Sequence, residues 1–224
     1  MDLRSSLQVW RRMISRPSEE VFADELTRSY ARLSTAVIWL TAAGLVTVLV
    51  WMLIFLLLNP VEQSMDLTVE FLAQSSIPQD VIDETVEQME QTAEASMFLL
   101  LCFFLIGIPL GTMLWSGLLW LIARAMGGSG SFEQQTYLIA AFTAPLVMLN
   151  AVLYLFPLLG PLLVLGMTLY MFYLTYFALK VVHQLSSGKT ATLIITPVVA
   201  LLVLGCCMST LWLALLGTAV NGLA

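Results

Sequence analysis

Positive charge is what this chain has least of. Its 224 residues include nine lysines and arginines, none between Leu33 and Ala123, between Ala125 and Leu179, or beyond Lys189. Charged residues of both signs make up 11% against 59% hydrophobic, and mean hydropathy is +0.91. That balance excludes a soluble domain, in which about a quarter of residues carry charge. The net charge of −6 argues against a nucleic-acid partner. Histidine is present once, as His183, with no acid near it in sequence, and no glycine-rich loop leads into a helix carrying a suitable lysine. An enzyme, a cofactor and a metal site are therefore not expected. The three cysteines, Cys102, Cys206 and Cys207, all lie in apolar runs, which excludes a disulfide framework and leaves them to packing.

What is there is a set of five long apolar runs, so the expected fold is all-α, an integral membrane bundle of five transmembrane helices. Threading the chain through a bilayer at those runs puts every lysine and arginine on one side. Short basic segments stay cytoplasmic during insertion, which predicts a cytoplasmic amino terminus and an exoplasmic carboxyl terminus in the cell (plasma or inner) membrane. The expected order is cytoplasmic amphipathic helices over 1–34, then spans over 35–58, 96–125, 135–155, 161–182 and 191–216. An exoplasmic acidic helical hairpin covers 59–95, and cytoplasmic turns cover 126–134 and 183–190. An exoplasmic turn covers 156–160, and the tail 217–224 is exoplasmic. Trp120 and Tyr137 flank the first cytoplasmic turn and Tyr154 meets the exoplasmic one, as interfacial aromatics do.

The two polar regions differ in field. Residues 1–34 hold six basic and five acidic groups, whereas 59–95 hold nine carboxylates and no cation. Leu3, Leu7, Trp10 and Ile14 form one stripe of a first helix, with Arg4, Arg11 and Arg12 off it, which suits either the lipid headgroup boundary or the underside of the bundle. Arg16-Pro17-Ser18 breaks that helix, and Ser18 caps a second whose stripe Phe22, Leu26, Tyr30, Leu33 and Val37 runs on towards the membrane. In the acidic region Asn59-Pro60 and Ser76 with Gln79 supply two helix starts, and Asp83, Glu87, Glu90 and Glu94 make a carboxylate row read as a solvated face.

Three stretches together resemble the Yip family, polytopic membrane proteins named for interaction with Ypt/Rab GTPases, and especially its prokaryotic branch. They are W-R-R-M-I-S-R-P-S-E-E-V-F over 10–22, G-G-S-G-S-F-E-Q-Q-T-Y-L-I-A-A-F-T-A-P over 127–145 and H-Q-L-S-S-G-K-T-A-T-L-I-I-T-P over 183–197. The resemblance implies a helical bundle with a cytoplasmic amino terminus. The amino-terminal region of about 34 residues is shorter than in eukaryotic members, and the acidic hairpin is larger than the short turn found at that place.

The residues expected to meet anionic inner-leaflet headgroups or a membrane or cytoplasmic protein partner are Trp10, Arg11, Arg12, Arg124, Gly127, Gly128, Lys180, His183 and Lys189. Pro109, Pro145 and Pro197 are expected to kink their helices, and Asn150 to bond across them. No charge lies deep within a run, because Arg124 and Lys180 can extend to an interface. The leading functional expectation is a non-enzymatic membrane organiser, homo-oligomeric or not, that binds lipid and recruits partners through its cytoplasmic face. The alternative is a small-molecule or ion permease with a path near Asn150, which a polar crevice reaching that residue would favour.

Overall fold

A computed structural model describes residues 3–58, 79–156 and 159–221. Seven helices and no strand occur among them: α1 (Leu3–Ser15), α2 (Glu19–Leu26), α3 (Leu33–Leu58), α4 (Gln79–Ala125), α5 (Phe132–Leu153), α6 (Gly160–His183) and α7 (Ser187–Asn221). Five are long and apolar enough to cross a membrane, over Leu33–Leu57, Leu101–Ala125, Phe132–Leu153, Gly160–His183 and Ser187–Thr210. The chain is an all-α membrane bundle.

Local chemistry sets the ends of these helices. Pro17 lies just past the end of α1, and the Ser18 side chain accepts from the Val21 amide at 3.3 Å to start α2. The stripe expected to carry α2 on into the membrane is cut: the Thr27 hydroxyl and amide both turn back to the Asp24 carbonyl, and a run of tight turns separates Leu26 from Leu33. Ser131 and Gln134 close a reciprocal capping box, so α5 begins at Phe132, three residues before the purely apolar run suggests. Pro161 sits in the first turn of α6, which ends in a left-handed Gln184.

The acidic arm from Gln79 is helical and continuous with the second span, making α4 47 residues long. The first arm of the expected hairpin, with Asn59, Pro60 and Ser76, lies outside the described residues. Pro109, Pro145 and Pro197 each sit inside an uninterrupted helix.

Helix α5 is the axis of the bundle. Every residue from Gln135 to Ala144 is buried, which requires neighbours on all sides. It packs against α1, α2, α3, α4 and α6. Helix α3 brings Ala36, Leu40 and Ala43 inward, and Gly44 lets its backbone approach α4 so closely that a Cβ there would lie 2.8 Å from the Phe104 carbonyl oxygen. Helix α7 leans on α4 and α6 only through its first turns, and Cys206 and Cys207, expected to pack, are exposed.

Candidate functional site at the basic end of the bundle

The two amino-terminal helices form a clamp on the bundle's flank. Their contacts climb α6 in order. Glu19 pairs with Lys180, Phe22 stacks on Phe177 with ring centroids 5.9 Å apart, and the Ile14 carbonyl accepts from the Tyr170 hydroxyl. From His183, where α6 ends, back to Tyr170 is about 20 Å of helix. The pair therefore runs alongside α6 rather than lying beneath the bundle. The buried face of α1 is Ser6, Val9 and Met13, rotated from the expected stripe, and Leu7 from that stripe is 51% exposed.

Aromatic packing fixes the clamp. Trp10 meets Trp39 edge-on at 6.0 Å, and Trp39 in turn lies 5.3 Å from Tyr137 and donates to the Ser6 hydroxyl at 3.2 Å. Phe22 is fully buried against Phe142 and Phe177. Arg12 reaches Asp24 across the clamp at 2.6 Å, joined by Arg28 at 3.3 Å, and the Arg12 hydrogen bond holds the Asp24 carboxyl below its ordinary range. That pair is half-exposed, so solvent screens much of its attraction.

Glu25 is different. It is 2% exposed, and its Oε1 accepts from the Tyr137 hydroxyl at 2.8 Å. Burial pushes its carboxyl above the ordinary range, against the Tyr137 hydrogen bond and the charges of Arg28 and Arg12, which pull it down.

A second buried polar system joins three spans. His183 Nε2 faces Gln135 Oε1 at 2.7 Å, and Gln135 Nε2 lies 2.6 Å from the Ser116 carbonyl and 3.0 Å from its hydroxyl. The Ser116 hydroxyl is 2.8 Å from that of Thr136. The direction of the hydrogens follows from chemistry. A carbonyl can only accept, so the Gln135 amide nitrogen must face Ser116, and its oxygen then requires a hydrogen on His183 Nε2. Nδ1 is left without a protein partner among the described residues.

The glycine-rich turn closes over this ring. A Cβ on Gly128 would lie 2.8 Å from His183 Nδ1, and one on Gly130 would fall on the Val182 side chain and carbonyl. Gly127 has φ +91°, a conformation only glycine adopts without strain. The Gly130 carbonyl accepts from Trp120 Nε1 at 3.2 Å, and Lys189 donates to the Met126 carbonyl at 3.2 Å.

The expected contact residues thus divide. Arg11, Arg124 and Lys189 are exposed on the basic end, with Arg124 5.4 Å over the Trp120 ring. Trp10 is half-buried by aromatic packing, and Gly128 and His183 are buried by a crowded Cα and a buried hydrogen bond. Arg12 and Lys180 are engaged in ion pairs. Asn150, expected to bond across helices, has its Oδ1 buried without a protein partner among the described residues. Sequence reasoning passed over Glu25, Ser116, Gln135 and Thr136, and read Tyr137 only as an interfacial aromatic, whereas it is fully buried. Glu25 carried a signal, because it falls three residues after Phe22 on the same face of α2.

The three stretches that carried the resemblance meet here: Trp10 to Phe22 in the clamp, and the glycine turn against His183. The Yip1 domain matches residues 11–209. The chain belongs to the Yip1 domain family. Neither a curated protein nor a solved structure matches it significantly. The family match covers the clamp from Arg11, both buried polar systems of this Yip1 domain, four whole spans and the fifth up to its last residue but one.

Proposed function

We propose that this Yip1 domain protein is a non-enzymatic organiser of the cell membrane, with its amino terminus cytoplasmic, its carboxyl terminus exoplasmic and its basic end turned to the inner leaflet. The observation that carries this reading is the clamp. It seats α1 against the spans while leaving Arg4, Arg11 and Arg16 exposed, and exposed guanidinium groups on a docked helix support a reading in which they meet anionic headgroups. Each such cation contributes about 1 kcal/mol near an anionic surface. Arg32, Arg124 and Lys189 extend the same exposed basic surface. Lipid is engaged by charge here rather than by sinking of an apolar stripe, since Trp10 and Ile14 pack on the bundle core. The same surface is where protein partners are recruited.

A permease draws less support. The groove between α4, α5 and α6 is lined mainly by apolar surface, and Asn150 is not among its lining residues.

The test uses the full chain in detergent mixed with phosphatidylglycerol or phosphatidylcholine, with retained lipid counted by native mass spectrometry. Preferential retention of the anionic lipid, reduced in Arg4→Glu/Arg11→Glu, is the expected result. Equal retention of both lipids by the unaltered chain would sink the reading.

A further inference from the structure

Helix α7 leaves the bundle halfway. Thr190, Leu193, Ile194 and Pro197, spaced as one helical face, are buried where α7 lies on the seam between α4 and α6. The same face continues through Leu201, Leu204 and Met208, yet these are 56%, 60% and 64% exposed. Every residue from Val199 to Thr210 is exposed, on all sides of the helix.

The seam it abandons is open. A groove of about 360 Å³ runs between α4 and α6 with α5 as its floor, lined by Gly107, Gly111, Trp115, Thr143, Thr168 and Thr175. Thr168 and Thr175 turn their hydroxyls back to the carbonyls of Val164 and Met171, so they offer methyl groups to the groove. A Cβ on Gly111 would meet nothing within 4 Å. Measured along the helices from the basic end, the groove covers roughly 12–27 Å, and Leu201 and Leu204 lie roughly 21 and 25 Å along α7. Groove and stripe share one depth.

We propose that the distal half of α7 seats in this groove on a second copy of the chain, the two copies exchanging helices. The argument is continuity. The face that already packs on the α4–α6 seam carries on for three more turns with the same apolar character, while beyond Pro197 the helix leaves its own seam unfilled. A second copy presents that seam unfilled. Within lipid, apolar burial alone does not drive helices together, and association rests on close packing, which glycines in the receiving wall permit. Reciprocal exchange leaves no helix and no groove over, the condition for a closed two-fold pair. This proposal goes beyond the lipid-binding reading and does not depend on it.

The test places single cysteines in full-length chains carrying Cys102→Ala, Cys206→Ala and Cys207→Ala. One tagged copy carries Leu204→Cys and a differently tagged copy Thr168→Cys, co-expressed in membranes and oxidised. A disulfide-linked pair bearing both tags is expected. It should be absent when the first copy instead keeps native Cys206, which lies on the opposite face of α7. Gly111→Leu fills the groove wall where space is free, and should abolish the link and leave a monomer by light scattering. The proposal is overturned by a link that forms only when both cysteines share one chain, or by one that survives Gly111→Leu. It is equally overturned by a monomer retaining lipid in native mass spectrometry, or by no link although both cysteines react with maleimide.

Discussion

The Tyr137 hydroxyl donates to the buried carboxylate of Glu25, which stands 112 positions earlier in the chain and on the other side of the clamp interface. This bond ties α2 to the central span, and burial makes its charged form unfavourable. A carboxyl whose folded pKa is raised contributes stability that is full below its unfolded value and is lost as pH rises through the folded value. Docking of α2 should therefore tighten on acidification from neutral pH towards the ordinary carboxylate range near 4.5. Asp24, with a lowered pKa, acts with the opposite sign and only at more acidic pH. Glu25→Gln keeps an acceptor for Tyr137 and removes the charge. It should abolish the dependence and slow amide exchange in residues 19–26 at neutral pH. An unchanged pH profile of exchange in that variant would falsify the assignment.

Removing Gln135 takes a partner from both sides. Gln135→Leu leaves the buried His183 Nε2–H unpaired, at about 1–3 kcal/mol, and removes one partner each from the Ser116 carbonyl and from the Ser116 hydroxyl, which keeps Thr136. The thermal midpoint in detergent should fall clearly. Thr136→Val, at the end of the relay, should cost less, and an equal loss for the two would contradict a relay that passes through Gln135.

The glycine turn separates two causes of strain. Gly130→Ala drives a methyl into Val182 and should destabilise by about 1–3 kcal/mol through overpacking. Gly127→Ala meets no neighbour but keeps φ at +91°, and should cost about 1–2 kcal/mol. Gly188→Ala, with open space around it and no unusual backbone, is the neutral control. Thermal unfolding of the three variants side by side checks the ranking.

Neighbouring arginines should behave differently. Arg11→Glu removes an exposed cation and should reduce anionic-lipid retention with little change in protease resistance. Arg12→Glu sets a carboxylate beside Asp24, so trypsin should cut faster at Arg28. If both variants changed only lipid retention, the Arg12–Asp24 pair would have no part in holding the clamp.

The spans were legible because twenty or so apolar residues in a row have one common use, and the Ser18 cap was legible from local side-chain chemistry, whereas the Ser131 cap was missed because the start of α5 was read from apolarity alone. The clamp was not. Periodicity found a stripe on α1 but could not say whether lipid or protein covered it, and the answer rotated the buried face to Ser6, Val9 and Met13. His183 looked like an interfacial cation because its sequence neighbours are polar. Its environment is set by Gln135 and Gly128, each about fifty positions away. Single polar residues in apolar runs, such as Ser116 and Thr136, acquire meaning only when two helices bring them within hydrogen-bond reach.

Helix α4 runs unbroken from Gln79 to Ala125, so the carboxylate-bearing segment and the apolar segment that follows it form one helix about 70 Å long, whose acidic end lies away from Arg124. Gly107 and Gly111, which line the groove, thus belong to the same continuous helix as that acidic extension.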